Sequence, residues 1–245
     1  MKSRSRLITA GLVTFVAALI IFFPARVAYR WFAPDNIALA GIGGSLWNGS
    51  AREAQASGVY LRDVAWRMQP LKLFTGKLGF SVEAAPPSGF VDANVAVGIS
   101  GTVTLTGVTA SMTLQSLQSV IGMPGLGGKV NAKFDRLIID AGLPVAADGV
   151  VEVADLIAPL VNRSSIGGYR AEFFTQESGV MASVEDTDGV IDLAGSLQLA
   201  SDRSYQFIAQ LAPKDNTPAN VRRQMQFLGS ANERGQHEMR LEGQL

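Results

Sequence analysis

Beyond residue 35 the apolar residues of this chain recur at every second position, in runs that turn-forming residues close. Val91, Ala93, Val95, Val97 and Ile99 alternate with Asp92, Asn94 and Ala96. The same period appears in Tyr169, Ala171 and Phe173, in Val180, Ala182 and Val184, and in Ile191, Leu193, Leu197 and Leu199. It returns in Tyr205, Phe207, Ala209 and Leu211, and in Met239, Leu241 and Leu245. Successive side chains of a strand point to opposite faces, so each run puts its apolar set on one side. Gly58, Pro86-Pro87-Ser88-Gly89, Asp148-Gly149, Asp188-Gly189 and Ser201-Asp202 supply the turns. Period-two runs with tight turns make antiparallel sheets buried on one face, here a mainly β domain of about twelve short strands joined mostly by hairpins.

The phase slips once in a telling place. Val103 and Leu105 are followed by Val108, Ala110, Met112 and Leu114, so odd becomes even across Gly107. An extra residue at a glycine is how a bulge redirects a strand, and a curved antiparallel sheet is expected. Helices should be few and short: one turn at 70–74 after Pro70, a second at 114–122 with Leu114, Leu117 and Ile121 in helical spacing, and a third at 217–229. In the third, Thr217 is expected to cap, Pro218 to open the helix, and Val221, Met225 and Leu228 to line one face, so that it covers a sheet edge or open end. No linker divides residues 34–245, which read as one β-rich domain, with two stacked sheet modules as the second choice.

The N-terminus is built differently. Leu7 to Phe23 is a run of 17 residues without a charge, its polar residues being Thr9 and Thr14. As a helix it spans roughly 25 Å, somewhat short of a hydrocarbon core of about 30 Å. Continuation through Val27, Ala28, Tyr29, Trp31 and Phe32 would supply the rest, with Arg26 and Arg30 snorkelling and Pro24 kinking or ending the helix. Residues 1–33 therefore read as a basic start and a signal anchor, with Leu7, Leu12, Phe15, Leu19 and Phe22 facing lipid and Trp31 at the interface. Cleavage after Ala28 is disfavoured, because Arg26 stands where a small residue is needed. Lys2, Arg4 and Arg6 keep the N-terminus in the cytoplasm and send the bulk across the membrane.

Residues 1–33 hold five basic residues and no acid, leaving 16 Lys and Arg against 21 Asp and Glu elsewhere, a net charge of −5. That balance excludes a nucleic-acid footprint. The absence of cysteine excludes disulfides and thiolate metal sites. Nucleotide binding is not expected: "GIGG" has Leu46 where the fingerprint needs glycine, and "GMPGLGGKV" has Met123 and Val130 at the first glycine and the Ser/Thr of a phosphate loop. His237, the single histidine, has no Ser or Asp pattern around it to make a triad. Glu185-Asp186-Thr187-Asp188-Gly189 lacks the ligand spread and closing Glu of a calcium loop and reads as a solvated hairpin turn. Asn48-Gly49-Ser50 and Asn162-Arg163-Ser164 fit the glycosylation sequon, too permissive a pattern to carry an argument. No catalytic residue, cofactor or metal is expected.

"ALAGIGGSLWNGSA", residues 38–51, reads as structural. Gly43 and Gly44 allow a tight turn, Leu46 and Trp47 enter a strand, and Asn48-Gly49 makes the next turn or bulge. Trp66, with Val64 and Met68 on its face, supplies a second large ring, and packing of Trp against Trp or aliphatic side chains across strands is expected.

The order of these segments resembles the protein N family of the bacterial type II secretion system. The features are a basic start, an apolar helix, "GIGGSLWNGSA", "LRDVAWRMQPLKLFTGKLGF" at 61–80, and the ending from "LAPKDNTPANVRRQMQFLG" onward. The family's G-x-L-W-x-G segment falls on Gly44, Leu46, Trp47 and Gly49, and its W-x-x-x-P-x-x-L-x-x-G segment on Trp66, Pro70, Leu73 and Gly76. The resemblance implies a non-enzymatic, single-pass inner-membrane protein with a periplasmic β-rich domain. Its partners would be other secretion-system proteins of the inner membrane and periplasm, together with membrane lipid. The strand-rich, singly anchored layout also resembles AsmA-like envelope proteins, which implies a lipid-holding apolar groove as the alternative.

Overall fold

The computed structural model describes residues 2–32, 37–56 and 58–244; the side chains of residues 2–9 and 32 fall outside that description. The proposed boundary at 33/34, and Leu245 of the last apolar run, also lie outside the described residues, as does the side chain of Leu7. Two helices open the chain, α1 (Lys2–Ile21) and α2 (Ala25–Phe32). The first strands are β1 (Ile37–Ala40), β2 (Gly43–Gly44), β3 (Asn48–Ala56), β4 (Val59–Met68), β5 (Lys77–Ala85), β6 (Gly89–Gly98) and β7 (Val103–Thr113). After the short α3 (Gln118–Ile121) come β8 (Gly127–Asp140), β9 (Leu143–Ile157), β10 (Tyr169–Gln176), β11 (Gly179–Asp186), β12 (Ile191–Ala200) and β13 (Ser204–Pro213). Finally, α4 (Ala219–Met225) precedes β14 (His237–Gln244).

All fourteen strands belong to one continuous antiparallel sheet in which each strand from β3 onward pairs with the next, β1 and β2 together forming the first edge. The pairing register explains the alternation. One row across the sheet runs Ala110, Ala132, Val151, Ala171, Val184, Gly195, Ala209, Met239. The row one residue away runs Ser111, Asn131, Glu152, Arg170, Glu185, Ala194, Gln210, Glu238. The first is small and apolar, the second mostly polar, so the sheet has one inner apolar face and one outer wet face.

Bulges bend this sheet. Between Asp92 and Asn94 of β6 the partner positions on β7 pass from Thr109 to Thr106, so Gly107 and Val108 face the single Ala93. Gly107 has φ +59°, the left-handed backbone a glycine bulge requires, and the phase slip read from the sequence is this bulge. Further register shifts occur in β4 between Arg62 and Ala65, where Asp63 has φ +49°, and in β8 at three places. Asp148-Gly149 is not a turn: it sits inside β9, which is 15 residues long, and the hairpin closes at Asp140–Leu143. A side chain at Gly149 would run into the Lys133 carbonyl, which accounts for a glycine in mid-strand.

The helical expectations hold in place and differ in detail. Residues Pro70–Thr75 and Leu114–Leu117 form 3₁₀ turns, the latter leading into α3. At α4 the Thr217 hydroxyl does not cap the helix; it donates to the Val190 carbonyl at 2.5 Å, and Pro218 occupies the N-cap position. Val221 and Met225 are buried against Ile191 and Leu211, so α4 lies over the inner face.

Pro24 ends the first helix instead of continuing it. It pairs with Ser45 in an isolated bridge, and α2 then folds onto the sheet with Ala25 and Ala28 buried. Residues 25–32 therefore do not lengthen the apolar span. Arg26 does not snorkel; its Nε donates to the Ile42 carbonyl at 2.5 Å. Among the described residues no helix is long and apolar enough to cross a membrane.

Candidate functional site

The glycine- and tryptophan-rich segments meet where α1 leaves the sheet. Gly43 and Gly44 are strand β2 and pair with Ser50 and Gly49, while Leu46 and Trp47 are the two residues of the hairpin loop, the reverse of the expected assignment. The Ser45 N–H donates to the Asn48 carbonyl at 2.9 Å and the Asn48 N–H to the Ser45 hydroxyl at 3.1 Å, which closes the loop. Gly44 has φ +76°, and a Cβ there would stand 2.5 Å from the Asn48 carbonyl oxygen. The strand assignment failed because alternation cannot be read through a segment of four glycines, whereas the steric demand at Gly44 fixes the turn.

Trp47 and Trp66 do different work. The Trp66 ring joins the cluster of Ala25, Ile42, Ala51, Ala54, Val64 and Ala84, the aliphatic packing expected, and its Nε1 donates to the Leu46 carbonyl at 3.0 Å. A Cβ on Gly49 would lie 2.5 Å from Trp66 Cζ2, so the ring packs directly against that glycine. The Trp47 indole instead donates to the Ile20 carbonyl at 2.6 Å, at the end of α1. The Leu46 N–H donates to the Phe23 carbonyl and the Met68 N–H to the Trp47 carbonyl, at 2.9 and 2.6 Å. Pro70 opens the 3₁₀ turn that follows, Gly76 closes it with φ +69°, and Leu73, exposed, accepts the Gly76 N–H at 3.0 Å. The two motifs thus form a clasp that ties the end of α1 to strands β3 and β4.

The side chains of Leu12, Phe15 and Leu19 on α1 are exposed, as is Phe22 just past its end, by 75%. Trp31 is exposed on α2, with its ring 5.8 Å from that of Phe23. Sequence reasoning missed the part taken by Tyr29: its hydroxyl accepts the Leu39 N–H and donates to the Ile37 carbonyl, both at 3.0 Å, locking α2 to β1. An apolar helical face at Ala25, Ala28 and Tyr29 was the available signal.

Among the described residues two apolar cavities lie on the inner face. One of about 610 Å³ lies between α2 and β4–β6, lined by Tyr29, Leu39, Trp66, Val82 and Val95 among others. The second, about 440 Å³, lies beneath α4 and is lined by Ile166, Tyr169, Ile191, Leu211, Met225 and Met239 among others. Burial above all, then the charges of Asp186 and Asp188, push the Tyr169 hydroxyl up to about 12; it donates to the Ile166 carbonyl at 3.2 Å.

The polar groups weighed for chemistry are engaged structurally. His237 is the first residue of β14, with Nδ1 2.8 Å from the Gly229 carbonyl. The acidic turn is less solvated than expected: the Asp186 side chain is 7% exposed, paired with Lys214, and accepts the Leu193 N–H at 2.8 Å. Asp188 accepts the Gly168 N–H. Gly127 and Gly128 open strand β8 and not a helix, so nothing there presents a helix N-terminus to a phosphate. Among the described residues no group of three His, Asp or Glu side chains is placed to hold a metal ion.

No solved structure matches this chain. Two proteins named Type II secretion system protein N are similar to it at 23% identity, one from Aeromonas hydrophila over 100% of both chains and one from Vibrio cholerae serotype O1 over 94% of each. The family profile described as type II secretion system (T2SS), protein N, matches residues 35–240, which span the whole sheet from β1 to β14 except its last residues. A match of that extent makes the chain a member of the type II secretion system protein N family.

Proposed function

We propose that the protein is a non-enzymatic component of the type II secretion system, held at the bacterial inner membrane by α1, with its sheet in the periplasm. There it acts by binding other components during assembly of the system or export of folded proteins across the outer membrane. Family membership supports the system, and the observation that carries the anchoring is α1 itself. Its exposed apolar side chains project from the body, and its end is clasped to the sheet through Trp47 and Ile20. The β1 edge is covered by α2 through Tyr29, whereas the edge at β14 offers unpaired backbone groups to a partner strand.

The test is fractionation of cells expressing the whole system. The full chain should stay with the membrane through an alkaline wash, be digested by protease in spheroplasts but not in intact cells, and crosslink to inner-membrane secretion subunits. Release by the wash would overturn the anchoring, and crosslinking to no secretion subunit would overturn the proposed mode of action.

A second reading, lipid holding in an AsmA-like groove, is favoured by one observation: the two apolar cavities on the inner face. Cavities of this size and lining suit alkyl chains. Phospholipid that co-purifies in fixed proportion, and is lost when Val95 or Leu211 is replaced by a bulkier side chain, would support it. A lipid-free protein of unchanged stability would exclude it.

A further inference from the structure

The geometry points to a second membrane contact beside α1: the β4–β5 and β6–β7 turns dip into the headgroup region of an anionic bilayer. This rests on the reading of α1 as a membrane anchor. Strand β4 ends at Met68, whose N–H bonds to the Trp47 carbonyl, so the β4–β5 turn lies at the end of the sheet that α1 leaves. Lys77, just after that turn, pairs with Gly98, which places the β6–β7 turn beside it.

These two turns carry large apolar side chains in water. Phe74 is 89% exposed and Ile99 96%, with Leu71, Leu73 and Leu78 exposed between them. A 3₁₀ turn needs none of these at its tip, and among the described residues nothing covers them. Lys72 in the β4–β5 turn and Lys77 just after it are the charged residues there, and the turn holds no acid. Apolar tips flanked by lysine suit an interface where acyl chains lie below anionic headgroups. Asp140, at the end of β8, accepts the Thr102 hydroxyl at 2.9 Å on the far side of the β6–β7 turn, and farther along the same end the turns carry Glu177 and Asp202, so the contact is confined to the corner next to α1.

The chain has no cysteine, so single reporters are placed without removing any. The full chain is reconstituted in vesicles of phosphatidylethanolamine and phosphatidylglycerol. A polarity-sensitive fluorophore is attached at Thr75→Cys or Ser100→Cys in the corner, at Phe227→Cys at the opposite end, or at Phe15→Cys in α1. Lipids with a quencher near the headgroup should dim the corner reporters at least twofold and leave the one at 227 unchanged, while lipids with a quencher deep in the acyl chain should dim the one at 15. Leu71→Ser with Phe74→Ser, or Lys72→Gln with Lys77→Gln, should remove most of that quenching while that at 15 persists. Quenching at 15 without any at 75 and 100 would overturn this inference and leave the anchor standing. No quenching at 15 would overturn the anchor. A corner reporter shielded from water yet insensitive to the lipid quencher would assign the corner to a protein contact and also overturn it.

Discussion

Trp47 Nε1 and the Ile20 carbonyl oxygen are 2.6 Å apart, joining a hairpin loop of the sheet to the last turn of α1 across 27 residues of sequence. Carbonyls at a helix end lack the next turn to bond them, and this one also receives the Phe23 N–H at a longer 3.3 Å. The indole therefore fixes where α1 leaves the body as well as satisfying an acceptor.

Replacing Trp47 by Phe keeps a ring and removes the donor. The expected cost is about 0.5–1.5 kcal/mol, the net value of an ordinary hydrogen bond. The diagnostic effect is on orientation. Spin labels on α1 and on β3 should give a broader distance distribution in Trp47→Phe than in the parent, and an unchanged distribution would show that the clasp does not set the angle.

Gly49 and Gly76 belong to the same pair of motifs but should respond differently to alanine. At Gly49 the new methyl would meet Trp66 at 2.5 Å and the Ser45 carbonyl at 2.7 Å, an overpacking that costs about 1–3 kcal/mol. At Gly76 nothing lies within 4 Å, and the cost is that of the left-handed backbone alone, about 1–2 kcal/mol. Denaturant midpoints should fall in both, but near-ultraviolet circular dichroism of the tryptophans should change in Gly49→Ala only.

How far the chain could be read beforehand follows from which forces are local. Period two survives wherever one face is wet, so β6, β7, β10 to β14 and the curvature at Gly107 were visible without coordinates, whereas the turn signal of Asp148-Gly149 hid β9. The bulge at Asp63, by contrast, has no glycine to announce it, and the φ +49° there comes from tertiary pairing. The clasp was half legible. Glycines marked the turn, but the partner of Trp47 is a backbone carbonyl, and a carbonyl has no letter in a sequence. The fate of α2 was hidden for a similar reason: "ARVAYRWF" continues an apolar run on paper, yet Pro24 turns it so that Ala25 and Ala28 meet the sheet.

Met225 holds α4 over the smaller cavity, buried to 4% exposure against Ile191 and Leu211. Met225→Ala should cost about 2–5 kcal/mol, the range for truncating a buried methionine. Because α4 is only seven residues long, it has little intrinsic stability and depends on this docking. Hydrogen exchange should speed up in 219–228 well before it does in β12 or β13. Uniform acceleration would mean that α4 unfolds together with the sheet and is not a separate cover.

Tyr169 links the cavity to pH. Its hydroxyl is half-buried and faces the negative charges of Asp186 and Asp188, so the proton is held up to about 12, against 10 for an ordinary tyrosine. A folded-state value above the unfolded one means that the folded protein binds more protons between the two. Stability contributed by the neutral phenol is then complete below pH 10 and is lost as the pH rises toward 12. Unfolding midpoints followed from pH 9 upward should decline through that window more steeply in the parent than in Tyr169→Phe, which has no proton to lose. Tyr169→Phe should also start lower at neutral pH, because the Ile166 carbonyl loses the donor that stands 3.2 Å away. Parallel curves for the two proteins would place the alkaline loss elsewhere and remove Tyr169 from the account.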